Sequence, residues 1–214
     1  MKDLGAYRKS YEKSELIETA IPDLPIDLFN KWFHEVEEFG GIEEVNAMSV
    51  ASIGLDGFPK SRIVLLKQIT NEGFVFYTNY NSEKGKALHE NNKVALSFFW
   101  PNVERQVIIK GAAEKTECRI STNYFNSRPF GSQLGALVSP QSDVIPDRAF
   151  LENRLIDLEN EYKDKPVPRP ENWGGFLVKP ISIEFWQGRA NRLHDRIRYE
   201  LQQNKSWKMQ RLAP

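Results

Sequence analysis

The sequence has few of the residues that build covalent or metal-based sites. Its 214 residues include one cysteine, Cys118, and three histidines, His34, His89 and His194, which are far apart in the chain. A single cysteine excludes an internal disulfide and a cysteine-based metal cage. The histidines show no metal-ligand spacing, so we expect no metal site.

The chain also lacks a charge excess and a long apolar run. Lys+Arg and Asp+Glu are both 29, and this balance argues against binding nucleic acid through many phosphate contacts. No apolar run approaches the roughly 20 residues of a membrane span, and the first residues lack the apolar core, about 7–15 residues long, of a signal peptide. We therefore expect a cytoplasmic protein without nucleic-acid or membrane partners, whose local basic clusters bind small anions.

Short alternating segments typical of β-strands make up much of the chain. They begin near Ala47, are separated by turn signals such as Asp56-Gly57, and recur up to "RIRYEL" near the C-terminus. Strands this close together predict a mainly β protein with an antiparallel sheet that closes into a small barrel. Residues 1–25 are polar and end in a proline-containing stretch, so we expect a mobile arm followed by a single domain of residues 26–214.

Helical periodicity interrupts the strands in a few places. The stretch "DLFNKWFHEVEEFG" predicts a helix with Asp27 as N-cap, and "SEKGKALHENN" predicts one capped by Ser82. Further helices are predicted at "CRISTNYFNSR" and at "DRAFLENRLIDLENEYKD". We interpret the stripe of Leu151, Leu155, Leu158 and Tyr162 in the last of these as a packing surface.

Two clusters near the middle of the predicted sheet could bind anions. Arg62 and Lys67 bracket four aliphatic residues, although a regular strand would place them on opposite faces. Lys84 follows Ser82 in the first turn of a predicted helix, where backbone N–H groups and an ammonium together suit a phosphate. A strand with charged ends and a capped surface helix are the alternative readings.

Two further clusters lie later in the chain. Tyr124, Arg128 and Ser132 recur every four residues, and Pro129 predicts that Arg128 and Ser132 flank a helix end and a loop. The stretch "GRANRLHDRIRYE" places Arg192, His194 and Arg196 at alternate positions, which predicts one face of a strand. Taken alone, the first pattern also fits a loop without a binding role, and the second also fits a basic strand on the surface. Together the four clusters suggest two phosphate sites suited to a flat, polar heterocycle.

These segments together resemble the pyridoxine (pyridoxamine) 5′-phosphate oxidase family. The resemblance runs from "YRKSY" to the terminal "RLAP" and is carried by "SRIVLLK", "FYTN", "SEKG", "ERQV", "YFNSRPFGSQLGALVSPQS" and "IEFWQGRANRLHDR". It implies a split β-barrel that binds FMN at a homodimer interface. It also implies oxidation of pyridoxine or pyridoxamine 5′-phosphate to pyridoxal 5′-phosphate, the last step of vitamin B6 cofactor synthesis. Oxygen would accept the electrons and leave as hydrogen peroxide, and the amine substrate would also release ammonia.

The resemblance assigns site residues by position in these motifs. The implied FMN contacts are Arg62, Ile63, Val64, Leu65, Leu66, Lys67, Tyr77, Thr78, Lys84, Gln106, Gln141, Ser142, Trp186 and Arg196. The implied substrate contacts are Arg8, Tyr11, Lys67, Tyr124, Arg128, Ser132, Arg192 and His194, of which Arg192 and His194 are the implied catalytic residues.

One position departs from the family pattern. Family members commonly have a basic residue just before the lysine at position 84, whereas this chain has Glu83, which would repel a nearby phosphate. Two other functions on the same fold remain open from the sequence: a binding protein for flavin or pyridoxal phosphate without turnover, and a flavin reductase that uses a nicotinamide cofactor.

Overall fold

The computed structural model of the protein describes residues 2–7 and 9–214. Nine strands and five α-helices are distributed along these residues. The helices are α1 (Pro25–Phe39), α2 (Glu83–Glu90), α3 (Cys118–Ser127), α4 (Phe130–Val138) and α5 (Arg148–Tyr162). The strands are β1 (Ala47–Ile53), β2 (Pro59–Leu65), β3 (Gln68–Thr70), β4 (Gly73–Asn79), β5 (Lys93–Trp100), β6 (Arg105–Lys115), β7 (Trp173–Gln187), β8 (Asp195–Leu201) and β9 (Trp207–Leu212).

All nine strands belong to one sheet. Its order is β2-β1-β5-β6-β7-β4-β3, and β8 pairs with both β7 and β9. The β4–β7 pair is antiparallel and aligns Tyr77 with Gly175 and Asn79 with Trp173. This register brings the end of β4 next to the start of β7, although almost a hundred residues separate them in the chain. No helix in the described part of the chain has the length and apolarity needed to cross a bilayer.

By their internal contacts the residues group into two compact units. Unit 1 consists of Met1–Val50, Ala95–Gly111 and Pro180–Pro214, and unit 2 of Ala51–Val94 and Ala112–Lys179. In unit 1 the buried face of α1 contacts strand aromatics, with ring centroids of Trp32 and Phe185 5.2 Å apart. In unit 2, Phe125, Leu134, Val167 and Trp173 form a buried cluster.

Helix α1 begins three residues earlier than the sequence predicts, with its N-cap at Leu24 instead of Asp27. Pro25 occupies its first turn and Leu24 is the N-cap without a side-chain hydrogen bond, so the prediction that Asp27 caps the helix is wrong. A proline with φ already near the helical value starts a helix without a capping side chain, because its missing N–H would be unsatisfied there anyway. Asp27 instead contributes a negative charge to the first turn.

The other helices follow the predictions with one addition. Ser82 caps α2 and accepts a hydrogen bond from the Gly85 N–H, as predicted. In α5 the residues Leu155, Leu158 and Tyr162 pack against the Phe125 cluster, which confirms a packing role for that part of the stripe. The unpredicted helix is α4, which starts directly after Pro129. Ser132 therefore lies in a helix, and the prediction of a loop there is wrong.

The segment Gly188–Glu200 differs most from its prediction. Strand β8 begins only at Asp195, and Ala190–Arg192 form a 3-10 turn in which Asn191 has φ 55° and Arg192 has φ 61°. Arg192 and His194 therefore do not share a strand face with Arg196. Left-handed backbone at two consecutive non-glycine residues is unfavourable and persists where surrounding structure fixes it.

The N-terminal arm has fixed contacts within unit 1. The backbone N–H groups of Glu12 and Lys13 donate to the buried Glu104 carboxylate at 2.9 and 3.1 Å. The Leu16 N–H donates to Asp195, and the Tyr199 hydroxyl donates to the Pro22 carbonyl. The arm that the sequence predicts to be mobile is therefore hydrogen-bonded to the rest of unit 1 at several points.

Candidate active site

A cavity of about 360 Å³, called here the main cavity, lies in unit 2 between β4 and the helices that follow it. Its volume is that of a small-molecule site, within the usual range of about 300–1,000 Å³. The lining residues are Ile63, Val64, Leu65, Lys67, Tyr77, Thr78, Asn79, Lys84, Tyr124, Arg128, Gly135, Ala136, Ser139, Gln141 and Trp173. The fold thus brings together many of the site residues that the sequence predicts from four separate segments.

Three of these residues form a hydrogen-bonded chain. The Lys84 ammonium donates to the Thr78 hydroxyl at 3.2 Å, and that hydroxyl donates to Gln141 Oε1 at 3.2 Å. Lys84 is only 9% exposed, and burial, together with the nearby Arg62 charge, lowers its pKa. No carboxylate among the described residues lies within ion-pair distance of this ammonium. A buried cation with only a neutral partner favours a bound anion.

A second cavity, called here the Lys60 cavity, is lined by Lys60, Ser61, Arg62, Glu83, Lys84 and Ser142. Lys84 lines both cavities. Arg62 donates through Nη1 to the Ser52 hydroxyl at 2.9 Å and to the Lys60 carbonyl at 3.1 Å, which are both neutral acceptors. The Glu83 carboxylate, the departure from the family pattern, accepts a hydrogen bond from Lys60.

One wall of the main cavity is a stack of aromatic rings. Tyr77 and Tyr124 stack with centroids 3.9 Å apart, and Tyr77 lies nearly parallel to Trp173 at 5.5 Å. The Arg128 guanidinium lies 4.6 Å from the Trp173 ring centroid, where a cation–π contact holds its plane. Burial raises the pKa of Tyr124 and lowers that of Arg128.

Arg128 has an unused donor at this wall. Its Nη1 is buried and has no hydrogen-bond partner among the described residues. A buried guanidinium donor without an acceptor is unfavourable unless a ligand supplies one. Together with the adjacent Tyr124 hydroxyl, it offers the donor set that a phosphate requires.

Sequence reasoning missed Trp173, although this ring supports both tyrosines and Arg128. The only feature of the sequence that points to Trp173 is its position at the end of the proline-rich stretch "KPVPRPENW", directly before Gly174-Gly175. The antiparallel register that brings it beside Asn79 is a tertiary property of β4 and β7, which local sequence does not reveal.

A second group of predicted residues lies in unit 1. Tyr11, Trp186 and His194 form the Trp186 cluster, with centroid distances of 4.7 Å for Trp186–His194 and 5.7 Å for Tyr11–Trp186. Gly188 is required for this packing, because a Cβ there would lie 2.8 Å from Tyr11 Cβ and Cγ. The backbone N–H of Arg189 donates to His194 Nδ1 at 3.1 Å. With Nδ1 as acceptor, the ring's proton is placed on Nε2, which can then donate to a ligand.

The arginines beside the Trp186 cluster have different surroundings. Arg192 is exposed on its left-handed turn. Arg196 is bound by the Glu184 carboxylate at 2.8 Å and donates to the Ala213 carbonyl. Gln106, on β6, is partly buried in the same unit.

Some predicted site residues are not brought to the main cavity. Leu66 is buried at 4% exposure and does not line it, and Ser132 is exposed in the first turn of α4. Arg62 and Ser142 line the Lys60 cavity instead. Arg8 lies outside the described residues, so its predicted substrate contact stays a prediction.

Comparison with known proteins identifies the family. Residues 33–160 match the family model for "Pyridoxamine 5'-phosphate oxidase". The chain belongs to this family. Residues 173–214 match the "Pyridoxine 5'-phosphate oxidase C-terminal dimerisation region". A pyridoxine/pyridoxamine 5′-phosphate oxidase of Flavobacterium johnsoniae is 68% identical over 213 residues, with 100% of both chains covered.

Solved structures confirm the fold. PhzG from Burkholderia lata, in complex with tetrahydrophenazine-1-carboxylic acid, superposes with a TM-score of 0.87 at 28% identity, covering 93% of this chain and 98% of that one. A Nostoc punctiforme FMN-binding protein related to pyridoxamine 5′-phosphate oxidase gives a TM-score of 0.69 at 13% identity, covering 86% of this chain and 96% of that one. The predicted mainly antiparallel split barrel with peripheral helices is therefore confirmed.

The residues present in unit 2 fit the flavin cofactor of this family. FMN carries a phosphate and a flat ring, and the two cavities offer cations with neutral partners, Lys84 and Arg62, next to the apolar and amide groups of Ile63–Leu65 and Gln141. The polar groups of this set are donors or neutral amides, except for Glu83. That carboxylate is already bound to Lys60.

Proposed function

We propose that this protein is an FMN-dependent oxidase that forms pyridoxal 5′-phosphate. The reaction converts pyridoxine 5′-phosphate and O2 to pyridoxal 5′-phosphate and H2O2. With pyridoxamine 5′-phosphate, water is also consumed and ammonia is released. Family membership and the full-length relatives support the oxidase activity and the FMN cofactor.

The observation that carries the proposal is a pair of cation sites in one cavity. Lys84 and Arg128 both line the main cavity, and neither has a carboxylate within ion-pair distance among the residues described. One cation site suffices for a protein that only binds flavin. Two such sites suit a cofactor phosphate and a substrate phosphate bound together.

We assign the Lys84 side of the cavity to FMN. Lys84 and Arg62 would bind its phosphate, while Thr78 and Gln141 would hold Lys84 in place through their hydrogen bonds. The backbone of β2 from Ile63 to Leu65 would lie along the ring. When bound, FMN supplies the redox chemistry, a two-electron oxidation of the substrate's C4′ carbon with O2 as the final acceptor.

We assign the Arg128 side to the substrate phosphate. Arg128 would bind it through the unused Nη1 donor, with Tyr124 and Lys67 as further donors. Anchoring the phosphate fixes the position of the pyridine ring and replaces a bimolecular encounter by a positioned one, which contributes several kcal/mol in favourable cases.

We propose roles for residues of unit 1 as well. We propose that Arg192 and His194 orient the C4′ substituent and the ring oxygen, with His194 donating from Nε2, and that Tyr11 covers the substrate. Because residues 173–214 match the family's dimerisation region, we further propose a homodimer with FMN at its interface. Trp186, Arg196 and Gln106 are the proposed FMN contacts from this unit.

Substrate turnover tests the proposal directly. Protein reconstituted with FMN should consume O2 and form H2O2 and pyridoxal 5′-phosphate in equal amounts from pyridoxine 5′-phosphate. Pyridoxine without the phosphate should react at least about 100-fold less efficiently, because the Arg128 anchor is then unused. FMN binding without O2 consumption would favour the binding protein. Flavin reduction by a nicotinamide cofactor alone would favour the reductase.

A further inference from the structure

Glu83 places a negative charge in a cavity that otherwise attracts anions. It is the first residue of α2, and it lines the Lys60 cavity together with Arg62 and Lys84. An acid beside a phosphate is repulsive, so this chain requires a compensating charge if the cavity accepts the FMN phosphate.

Lys60 supplies that charge from the neighbouring strand. It lies on β2, and its ammonium contacts the Glu83 carboxylate and also Asp56 Oδ2, at 2.9 Å. The contact with Glu83, followed by that with Asp56, raises the pKa of Lys60, and the Lys60 contact lowers the pKa of Glu83. Both groups of the pair therefore stay charged across the neutral range.

The pair changes the charge that faces a ligand. Lys60, Arg62 and Lys84 are three cations on the cavity wall, and Glu83 is the one acid among the lining residues. Asp56 lies in the turn before β2 and does not line the cavity. Without Lys60 the wall would lose a cation, and the Glu83 carboxylate would face the anion uncompensated. Removing Lys60 would therefore weaken phosphate binding in two ways, since a cation is lost and a carboxylate is left uncompensated.

We propose that Lys60 is a determinant of FMN phosphate affinity in this chain. It neutralises Glu83 and presents its own ammonium to the Lys60 cavity. Glu83 in turn is a positioning residue that holds Lys60 on the cavity wall, where its side chain is only 29% exposed. This inference rests on the proposed function, because it assigns the cavity to the FMN phosphate.

The test compares FMN with riboflavin, which has the same ring without the phosphate. Binding to apoprotein is titrated by flavin fluorescence for the wild type, Lys60→Met, and Lys60→Met combined with Glu83→Gln. Lys60→Met should raise the FMN Kd about tenfold, the size expected when one charge is lost and another is uncovered nearby. Riboflavin affinity should stay within about twofold, which also shows that the variant is folded. The double variant should regain most of the lost FMN affinity.

Lys179→Met is the matched control. Lys179 also bridges two carboxylates in unit 2, Glu114 at 2.7 Å and Glu72 at 3.6 Å, but it lines neither cavity. Its replacement should leave both flavin affinities unchanged.

Two results would overturn the inference while leaving the proposed function intact. The first is a Lys60→Met variant that binds FMN as tightly as the wild type. The second is a double variant that binds no better than the single one, since Lys60 would then not act by neutralising Glu83. A wild-type protein that binds neither flavin would contradict the proposed function itself, and the inference with it.

Discussion

The two regions that hold the predicted site residues differ in whether their cationic side chains have carboxylate partners. In the main cavity, Lys84 and Arg128 are buried or half-buried beside hydroxyls and aromatic rings. Around the Trp186 cluster, Arg196 is bound to Glu184 at 2.8 Å and Arg189 to Glu15 at 2.9 Å. The first arrangement leaves positive charge for a ligand, whereas the second satisfies it within the protein.

This difference separates cations left without a carboxylate, such as Lys84, from cations paired within the protein; Arg196 is paired with Glu184 although it is also a proposed FMN contact. Burying an ammonium without an opposite charge destabilises a protein, so it is retained where a ligand compensates for it. Exposed ion pairs such as Arg189–Glu15 contribute little to stability but hold a segment in place. Arg192 belongs to neither class, because it is exposed on a turn with left-handed backbone and has no carboxylate within ion-pair distance among the described residues.

Replacing Arg192 tests whether unit 1 takes part in the chemistry at all. Arg192→Ala should lower kcat/KM for pyridoxine 5′-phosphate by about 100-fold or more while the FMN Kd stays unchanged, as expected for a residue that orients the reacting group. Steady-state kinetics and flavin titration measure the two quantities. Lys208→Ala, an exposed cation on β9, is the control. An unchanged kcat/KM in Arg192→Ala would remove this arginine from the site.

Replacing Lys84 tests whether a buried cation without a carboxylate partner binds the ligand. Lys84→Ala should raise the FMN Kd about 30-fold, because a charge-assisted contact with phosphate contributes roughly 2 kcal/mol. Thermal stability without FMN should not fall, since a desolvated charge is removed. Lys86→Ala, exposed on the same helix, should change neither quantity. A Lys84 variant that loses stability but keeps its FMN affinity would place Lys84 among the structural cations.

Gly188 links the arm to the Trp186 cluster. Gly188→Ala should raise KM for the phosphate substrate about tenfold, because the new Cβ would lie 2.8 Å from Tyr11 and displace it. Gly131→Ala is the control, since nothing lies within 4 Å of a Cβ built there. If KM does not change, the proposal that Tyr11 covers the substrate is wrong.

The smallest expected effect concerns the attachment of the arm. Hydrogen bonding to Arg211 lowers the pKa of Glu18 to about 2 from its ordinary value of 4.5. The ionised carboxylate therefore stabilises the fold above pH 4.5, and this contribution is lost as the pH falls from 4.5 towards 2. Because both side chains are about 40% exposed, Glu18→Gln should cost less than about 1 kcal/mol at pH 6 and progressively less below pH 4.5. Urea unfolding of both proteins across this range measures the difference, and a constant difference would contradict it.

The sequence predicts the fold class and most of the elements because alternation and helical periodicity are local signals. Ser82 capping α2 is an example in which a single side chain determines where a helix starts. The sequence does not predict α4, because Pro129 indicates the end of the preceding helix and proline suits a helix start equally well.

The local backbone and the charge pairs that the sequence does not reveal depend on tertiary structure. Arg192 and His194 alternate in sequence like strand residues, but the left-handed backbone at Asn191 and Arg192 keeps them off β8. The pairing of Glu83 with Lys60 joins residues on α2 and β2, and no local pattern in either segment reveals it. Motif resemblance names residues of a site, whereas their charge partners emerge only from the folded chain.

The most direct test of the account is the absorbance spectrum of the FMN-loaded protein without oxygen, before and after pyridoxine 5′-phosphate is added. The account predicts that the flavin absorbance bleaches on addition and returns when air is admitted, with pyridoxal 5′-phosphate formed in proportion. A flavin spectrum that does not change when the substrate is added would contradict it.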